Sequence, residues 1–506
     1  MKNIFNILWL TLSFTLITSS CDKEFDELNI SQTAATSIDP AFILNRATLN
    51  SSLQFGTIVY EVGIVQQMIS PNSGVLTGAN YNQDNRLSTL VNWQNCYRNV
   101  IRNTKDVIAR TKDDPARSNL TNMARILEAY AFMILTDSYG DIPYTDAGDG
   151  FNTQIFFPAY DSQQTVYAKI IQELSEASAA LNASGKIETA DILYGGDVAK
   201  WKKFGYSLLL RAGMRLSEVD AAQAKTVVNT AFNGGVILTN ADNAYLRHDA
   251  NNVNPIGNTL NGTEAANLYL TKPFVDALKS TNDPRLSSIA IRYKGATSGP
   301  GQVVGIGTTA AADQIGMPMG KDNGTVVASA AADGLASFYD YSQVDRRRMN
   351  KVSAPMFFVT AAQTNLLLAE ARFRGWITAG TAGEYFSAGI AEHMNQMATY
   401  DAGSAVSAAD RDAYIAANPL VAGTELQQIN TQYWIASFLN GPEAFANFRR
   451  SGFPVLEPNP YPGKEVAFIN RLTYPNSEIS VNGENIKAAI ARQGPDDLAT
   501  KVWWDK

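Results

Sequence analysis

The chain has 506 residues, of which 45% are hydrophobic and 18% charged, so it can bury a large core and is not a disordered chain. Its formal net charge is -7 at pH 7 and its densest basic run is the three arginines at residues 346–348, which argues against nucleic-acid binding. Two cysteines in a chain of this length exclude a disulfide-based scaffold.

The first residues have the pattern of an export signal. Lys2 precedes an apolar run over residues 4–17, which is shorter than the roughly 20 residues that a helix needs to cross a bilayer. Two serines then lead directly to Cys21, and small residues before a cysteine are typical of a lipobox. We therefore predict a lipoprotein signal peptide over residues 1–20 and acylation of Cys21. The alternative is an ordinary secretory signal with an accidental cysteine.

The residues after this signal divide into a tether and a body. Residues 21–40 begin with a charged stretch, and we predict that they form a flexible lipidated tether that holds the body away from the membrane. Residues 41–506 are predicted to form a single helical body. With Cys21 acylated, Cys96 has no partner and is expected to be a small buried residue.

Apolar residues recur at helical spacing through most of the body. In a predicted helix over residues 160–182, Val166, Ile170 and Leu174 share one face, and Asp161 is the predicted N-cap. Asp197 is the predicted N-cap of another helix. The remaining predicted helices cover residues 41–70, 87–111, 118–138, 197–217, 220–233, 355–374, 384–399 and 425–440.

Several predicted helices are adjacent and joined by short connections. They pair as 87–111 with 118–138, 160–182 with 197–217, and 355–374 with 384–399. Antiparallel pairs of this size are the unit of tetratricopeptide-like arrays, although the signature residues of that repeat are not visible here. We therefore predict a mainly α fold of tetratricopeptide-like helix pairs, with long irregular loops and a few short strands.

The helical pattern fails over a loop-rich insert at about residues 239–352. Glycine-rich stretches at residues 295–307 and 316–320 interrupt it. Long irregular segments on a rigid scaffold often carry binding surfaces, so we expect ligand recognition here.

The sequence contains no recognisable catalytic motif. Its two histidines, His248 and His393, lie far apart, and neither belongs to a zinc-protease or serine-hydrolase motif. Residues 80–85 are rich in oxygen ligands but lack the acid spacing of a calcium loop. We expect no catalytic residues, no cofactor and no resident metal. A glycoside hydrolase stays open as an alternative, because it needs only two carboxylates and 48 acidic residues are present.

Aromatic and amide side chains are instead abundant in predicted loops. Aromatic rings stack on sugar or apolar surfaces, while amides and carboxylates bond hydroxyl or peptide groups, which is how a concave site holds an uncharged polar ligand. For Trp93, four residues before Tyr97 on a helix, core packing is the favoured alternative. The candidate ligand-binding residues are Asn80, Tyr81, Asn82, Asp84, Trp93, Tyr339 and Tyr341.

Several stretches in the right order resemble one family. They include LTDSYGDIPY at residues 135–144, RRSGFP at 449–454 and VWWD at 502–505, with further matches at 124–132, 193–197, 201–204, 434–436 and 441–445. Together with the lipobox, they resemble the SusD/RagB nutrient-binding outer-membrane lipoproteins of Bacteroidetes, in the SusD-like subgroup. The acidic stretch after Cys21 resembles the surface-export signal of such lipoproteins.

The resemblance implies about four tetratricopeptide-like helix pairs and a SusC-like, TonB-dependent outer-membrane transporter as partner. It implies a lipid-anchored protein on the cell outer membrane, facing the exterior, that captures a nutrient oligomer and delivers it without enzymatic activity. A glycan is the first expectation for the ligand, and a peptide, as for RagB-like proteins, is the alternative. A surface glycoside hydrolase, or a scaffold lipoprotein without a small ligand, would also fit the sequence. The resemblance also implies that Trp434, Arg449, Arg450 and Trp503 fix helix packing.

Overall fold

Helices dominate the computed structural model of this protein, as the apolar spacing predicts. The structure describes residues 38–72, 78–148, 150–459 and 468–505, except for the side chains of residues 151 and 152. Pro40–Lys506 form one compact unit. The predicted signal peptide, Cys21 and nearly all of the predicted tether lie outside the described residues.

The α-helices are numbered here in chain order. They are α1 Pro40–Asn50, α2 Arg86–Asn95, α3 Arg102–Thr111, α4 Ser118–Tyr139, α5 Gly150–Thr153, α6 Gln163–Ala180, α7 Val198–Arg215, α8 Ala221–Gly234, α9 Pro255–Asn261, α10 Lys272–Ser280, α11 Arg285–Ile289, α12 Thr325–Ala332, α13 Ala361–Phe373, α14 Ala382–Tyr400, α15 Ala408–Ala417, α16 Glu425–Ala436, α17 Gly441–Ser451, α18 Asn476–Val481 and α19 Gly483–Gln493. A π-helical turn at Cys96–Ile101 joins α2 to α3, and another covers Ile58–Val62.

The strands are few and short. They are β1 Met68–Ile69, β2 Ala244–Leu246, β3 Tyr269–Leu270, β4 Ala290–Tyr293, β5 Gly307–Thr308, β6 Gln343–Val344 and β7 Met356–Val359. Antiparallel pairing joins β1 to β3, β2 to β7, and β5, β4 and β6 into a three-stranded sheet in that order.

The predicted helix pairs are confirmed. The continuous α2–α3 segment packs on α4 through α3, α6 packs on α7, and α13 packs on α14. A fourth pair, α16 with α17, follows near the end of the chain. Neighbouring pairs also contact one another, because α4 packs on α6 and α13 packs on α16. The mainly α fold with tetratricopeptide-like pairs, which periodicity predicts, is therefore the observed fold.

The two predicted N-caps have different outcomes. Asp197 caps α7, since its carboxylate accepts from two backbone N–H groups of the first turn at 3.0 and 3.1 Å. The prediction for Asp161 is wrong, because α6 begins one residue later. Ser162 is the cap, and its hydroxyl accepts from the backbone N–H of Thr165. Asp161 pairs through its backbone with Ile142 and is therefore held outside the helix.

Two predicted helices have the wrong extent. The helix predicted over residues 41–70 ends at Asn50, and the rest contains the first π-helical turn and β1. The helix predicted over residues 355–374 begins with β7, and α13 starts only after a capping box at Thr360. A short apolar run such as Met356–Val359 fits a buried strand or a buried helix equally well, and pairing with β2 selects the strand.

The insert over residues 239–352 is more regular than predicted. It contains α9 to α12 and five of the strands. Each of its helices has fewer than ten residues, which is too short for a helical period to stand out in the sequence. The insert is therefore a folded subregion with short elements, and only part of it is irregular.

Buried ion pairs connect the helix pairs to one another. The guanidinium of Arg215 on α7 lies 2.7 Å from the Glu443 carboxylate on α17 and 3.3 Å from Asp137 on α4. Arg450 on α17 makes a two-pronged contact with Glu370 on α13, with both distances 2.7 Å. A buried charge is tolerated only when it is paired and hydrogen-bonded, so these contacts specify how the helices assemble.

The residues expected to fix helix packing have that position. Trp434 is buried and donates its ring N–H to a backbone carbonyl before β1 at 2.8 Å. Arg449 donates to the backbone carbonyl of Asp137 at 2.6 Å. The backbone N–H of Trp503 donates to the Gln163 side chain, which docks the C-terminal segment on α6. Within the described ranges, no helix combines the length and the apolar character that a membrane span requires.

Candidate ligand-binding surfaces

Strands β1 and β3 tie the segment before α2 to the insert. Ile69 lies opposite Tyr269, and the chain then turns back toward α2 through residues 78–85. Antiparallel pairing holds the two segments side by side, although about 200 residues of sequence separate them. The pairing therefore brings the predicted cluster at residues 80–84 next to the insert.

Asn80 joins these two segments through three hydrogen bonds. Its side-chain amide donates to the backbone carbonyls of Ser70 and Lys321 at 3.0 and 2.9 Å, and its oxygen accepts from the backbone N–H of Gly320 at 2.7 Å. The side chain is buried. Asn80 therefore links two loops of the protein by hydrogen bonds. A contact between Asn80 and a ligand stays a prediction.

Three other predicted residues near Asn80 are also engaged with the protein. The buried Tyr81 donates its hydroxyl to the backbone carbonyl of Pro71 at 2.8 Å. Asn82 is buried and has a left-handed backbone, with φ of 50°. Asp84 accepts from the Thr473 hydroxyl and pairs with Arg86 at 3.1 Å, and it retains partial exposure. Contact of these residues with a ligand stays a prediction, and Asp84 is the most accessible of them.

The two predicted insert tyrosines differ in accessibility. Tyr341 has no exposed surface, and its hydroxyl donates to Asp333 at 2.6 Å. Tyr339 is half-buried, and its ring stacks on Phe338 with 4.2 Å between ring centroids. Of the two tyrosines, Tyr339 alone presents part of its ring to solvent in this conformation.

A chain of hydrogen-bonded polar side chains links the segment after β1 to the segment before β3. The Asn72 amide donates to the Asn267 side chain at 2.5 Å, and the Asn267 amide donates to Glu264 at 2.8 Å. All three side chains are half-buried. Within the described residues the Asn72 side-chain oxygen has no hydrogen-bond partner, so it is free to accept from a ligand hydroxyl or amide.

Gly299 connects this polar chain to the tyrosine. A methyl group built at Gly299 would lie 2.8 Å from Cβ of Ala266, which precedes Asn267, and 3.7 Å from the ring of Tyr339. The absence of a side chain at Gly299 therefore lets the segment that carries Asn267 and the ring of Tyr339 approach the same glycine. We call Asn72, Glu264, Asn267, Gly299 and Tyr339 the amide–tyrosine surface. It combines a partly exposed ring with hydrogen-bonding side chains, as binding of a polar, uncharged ligand requires.

Trp93 lies in a different part of the molecule. Its ring is buried against four tyrosines, Tyr97, Tyr139, Tyr160 and Tyr474, with centroid distances of 4.9, 5.0, 6.2 and 6.0 Å. Core packing, the alternative favoured for Trp93, is therefore observed. Trp93 and Tyr97 also form part of the wall of an open cleft.

This aromatic cleft has a volume of about 580 Å³. Residues of α2, the π-helical turn and α3 form one side, residues 143–158 form another, and α18 with Asn482 closes the third. The half-buried Glu478 of α18 accepts from the Tyr160 hydroxyl at 3.3 Å, and burial raises the pKa of this carboxyl. The volume lies within the range of small-molecule sites.

Both histidines have structural surroundings. The ring of His248 bonds the Ser52 hydroxyl at 3.0 Å and the backbone carbonyl of Asn252 at 2.8 Å. Ser52 is buried, and the group behind the histidine is a carbonyl instead of a carboxylate, so this pair lacks the parts of a hydrolase triad. His393 is buried against Arg285 at 2.9 Å. The described residues contain no cluster of three or more acidic, histidine or cysteine side chains that could hold a metal ion.

Comparison with known families gives a match over most of the chain. The model of the SusD-like family described as starch-binding and associating with the outer membrane matches residues 32–475. The protein belongs to this SusD-like family. No curated protein sequence matches the chain.

Solved structures of SusD-like proteins share this fold. A chitin-binding protein is 32% identical, with a TM-score of 0.81, over 92% of this chain and 100% of its own. A SusD-like protein titled Bacteroidetes AC2a is 28% identical, with a TM-score of 0.79, over 93% and 100% of the two chains. A chitin-binding SusD homolog from Flavobacterium johnsoniae is 24% identical, with a TM-score of 0.75, over 92% and 98%, and shows the fold alone.

Sequence reasoning missed most members of both surfaces. Asn72, Glu264 and Asn267 lie outside any motif, and only the β1–β3 pairing brings them together. Arg98 and Phe156 of the aromatic cleft were missed for a similar reason, since residues 155–158 approach α2 only through the packing of α4 and α6. The one available signal was the four-residue spacing of Trp93 and Tyr97, which places both on one helix face.

Proposed function

We propose that the protein is a surface lipoprotein that captures a chitin-type glycan at the amide–tyrosine surface and delivers it to a SusC-like, TonB-dependent transporter. Family membership supports a binding protein associated with the outer membrane. The chitin-binding structure that is 32% identical over nearly the whole chain supports this class of glycan. The observation that carries the proposal is the half-buried Tyr339, which Gly299 links to the segment of Asn267, together with an Asn72 oxygen that has no hydrogen-bond partner within the described residues.

The chemistry of the surface suits an N-acetylated sugar. The face of a pyranose ring is a row of C–H groups, which stacks on an aromatic ring such as Tyr339. An acetamido group has one N–H donor and one carbonyl acceptor, and the Asn72 oxygen can accept from the former. The Glu264 carboxylate can accept from sugar hydroxyls. Capture then needs no charge on the ligand, in keeping with the acidic chain.

Calorimetric titration with a chitin oligosaccharide tests the proposal. Loss of the ring in Tyr339→Ala should weaken binding about tenfold, since an aromatic stack contributes about 1 kcal/mol or more. Tyr385→Ala is the matched control, because Tyr385 is also a half-buried tyrosine but lies on α14. Equal affinity of both variants and the parent protein would contradict the assignment to the amide–tyrosine surface.

Titration with other ligands, together with an assay for glycan cleavage, separates the alternative functions. Saturable binding of short peptides without binding of any glycan would replace the glycan by a peptide. New reducing ends after incubation with glycans, abolished by one Asp or Glu substitution, would identify a hydrolase instead. Silence toward all ligands, even with the transporter present, would favour a scaffold lipoprotein.

The anchor and the partner have their own measurements. We expect mass spectrometry of the mature protein to find Cys21 acylated at the new N-terminus, and proteolysis of intact cells to reach the body. We expect a SusC-like barrel to co-purify after mild detergent extraction of the outer membrane. A protein secreted into the medium without a lipid would overturn the anchored part of the proposal and leave glycan binding to be judged by calorimetry.

A further inference from the structure

We propose that the aromatic cleft is a second binding site, separate from the amide–tyrosine surface, and that it takes a small organic anion with an aromatic body. The cleft is open, and its volume of about 580 Å³ is larger than a single ring requires. Its wall combines aromatic and aliphatic surface with the exposed arginines Arg98 and Arg102. The apolar wall would contact the aromatic body of the ligand, and the arginines would bind its acidic group.

Aromatic and aliphatic side chains form the apolar part of the cleft. Trp93 forms the inner wall, and Tyr97 directs its hydroxyl to the backbone carbonyl of Pro143 at 2.7 Å, so its ring is available as an apolar surface. Ile155 and Phe156 contribute the opposite side. Offset or edge-to-face packing of a further ring on these side chains would add to the burial of apolar area.

The rim of the cleft is unusually apolar for an exposed surface. Phe156 is 67% exposed and Val481 is 64% exposed, and both line the cleft. Phe157 and Ile479, which neighbour them in sequence, are also exposed. Exposed apolar side chains that occur singly need no explanation, but a group of them around a concave site marks a binding surface.

Arg98 and Arg102 supply positive charge at this site. They are four residues apart on the continuous α2–α3 segment, which places them on the same face, and both line the cleft. Within the described residues neither guanidinium has an ion pair or a hydrogen bond. A guanidinium is always charged and bonds a carboxylate or sulfonate with two parallel N–H groups.

Two acids also line the cleft, and within the described residues neither forms an ion pair with these arginines. Burial raises the pKa of Glu478, and the charge of Arg98 lowers it by a smaller effect. Glu478 lines the cleft near Arg98, but its carboxyl is half-buried and accepts from the Tyr160 hydroxyl. Asp146 also lines the cleft and makes no ion pair within the described residues. The two guanidinium groups therefore keep N–H donors available at the mouth, which suits a ligand with one acidic group.

Two fluorescent probes of nearly the same shape test the proposal. 8-Anilinonaphthalene-1-sulfonate has an aromatic body with one anionic group, and N-phenyl-1-naphthylamine has the same body without it. We expect saturable binding of the sulfonate to the folded full-length protein, weaker binding of the neutral probe, and displacement of the sulfonate by 3-phenylpropanoate but not by 3-phenylpropanol. Octanoate as a competitor distinguishes an aliphatic from an aromatic acid.

The double variant Arg98→Gln and Arg102→Gln should weaken binding of the sulfonate about tenfold or more and leave the neutral probe unchanged, because charge-assisted hydrogen bonds are the stronger ones. Arg347→Gln is the matched control, since Arg347 is exposed and its side chain makes no ion pair within the described residues. Phe156→Ser, at a largely exposed position, should weaken both probes. Thermal melting confirms that each variant is folded.

Three outcomes would overturn the second site. They are equal affinity of the double variant and Arg347→Gln for the sulfonate, parallel loss of both probes in the double variant, and displacement by octanoate but not by 3-phenylpropanoate. The experiment is independent of glycan capture, because the arginine variants should bind a chitin oligosaccharide normally and Tyr339→Ala should bind the sulfonate normally. Loss of glycan binding in the arginine variants would show that the glycan also uses the aromatic cleft, which would contradict the proposal of two separate sites.

Discussion

The helical scaffold and the amide–tyrosine surface use polar side chains in opposite ways. In the scaffold, Glu370 and Arg450 are fully buried and bond each other through both carboxylate oxygens. On the amide–tyrosine surface, Asn72 and Asn267 are half-buried and bond each other once, and the Asn72 oxygen has no partner in the described part of the chain. The scaffold side chains fulfil their hydrogen bonds within the protein, whereas the surface side chains keep capacity for a ligand.

This difference separates stability from recognition. Removing one member of a buried pair leaves an uncompensated charge and should lower the free energy of unfolding. Changing the amide–tyrosine surface should alter ligand affinity with little effect on unfolding. The variants below range from the scaffold to that surface, and a variant that behaves like the other region would contradict the division.

The largest effect is expected from Glu370→Gln. It leaves the buried Arg450 without a carboxylate partner, so the free energy of unfolding should fall by about 3–5 kcal/mol. Urea denaturation measures this change. Glu484→Gln is the control, because Glu484 is 89% exposed in its pair with Lys487 and should change the value by less than about 0.5 kcal/mol.

The same pair predicts sensitivity to acid. Burial alone would raise the pKa of Glu370, but the charge and hydrogen bonds of Arg450 lower it to about 2. Because the folded pKa lies below the ordinary value of 4.5, its contribution to stability is present above pH 4.5 and is lost as the pH falls toward 2. Glu370→Gln should therefore flatten the acid limb of the stability curve.

Glu61 should respond to pH in the opposite direction. It is buried, and it accepts a long hydrogen bond from the Ser138 hydroxyl at 3.5 Å; burial raises its pKa to about 8. A folded pKa above the ordinary value means that stability is full below pH 4.5 and falls as the pH rises through 8. Relative to the parent protein, Glu61→Gln should gain roughly 2–4 kcal/mol between pH 5 and 8. Urea denaturation at both pH values measures it, and no relative gain would mean that Glu61 ionises freely.

Asn80→Ala tests whether the hydrogen bonds of the Asn80 side chain stabilise the scaffold or belong to the recognition surface. Its loss leaves the buried backbone N–H of Gly320 and the partly buried carbonyl of Lys321 without partners, so the free energy of unfolding should fall by about 1–3 kcal/mol. The exposed Asn251, changed to Ala, is the control. Unchanged unfolding combined with a large loss of glycan affinity would instead identify Asn80 as a ligand contact.

The smallest effect on unfolding is expected from Gly299→Ala. The added methyl group meets Cβ of Ala266 at 2.8 Å, so the two loop segments must move apart at this point of the surface. Unfolding should change by less than about 1 kcal/mol, because the site is half-exposed, while glycan affinity should fall several-fold. Gly305→Ala is the matched control, since a methyl group there meets nothing within 4 Å. Identical glycan affinity of the two variants would remove Gly299 from the surface.

The secondary structure of the long helices was predictable from the sequence. The apolar period of α6 and α7 and the cap at Asp197 are local features, and they are found where the sequence predicts them. The errors are also local in origin. The period cannot distinguish a strand from a helix in the four residues of β7, and it cannot detect helices as short as α11.

The binding surfaces depended on contacts that no local pattern contains. Tyr339 could be singled out because an aromatic residue in a polar loop is a recognisable signal, but Tyr341, two residues later, has the same signal and is buried. Asn72 and Asn267 are ordinary asparagines until the pairing of β1 with β3 places them together. Similarly, Arg98 and Phe156 line the same cleft only because α3 packs on α4 and α4 packs on α6.

The sequence alone determined the class of the fold, since helical periodicity, capping residues and family motifs are written within short windows of the chain. The tertiary structure alone decided which polar groups remain free for a ligand. The reason is physical: a side chain is available for binding only when the fold leaves it both exposed and unpaired, and exposure and pairing depend on residues that are hundreds of positions away in the chain.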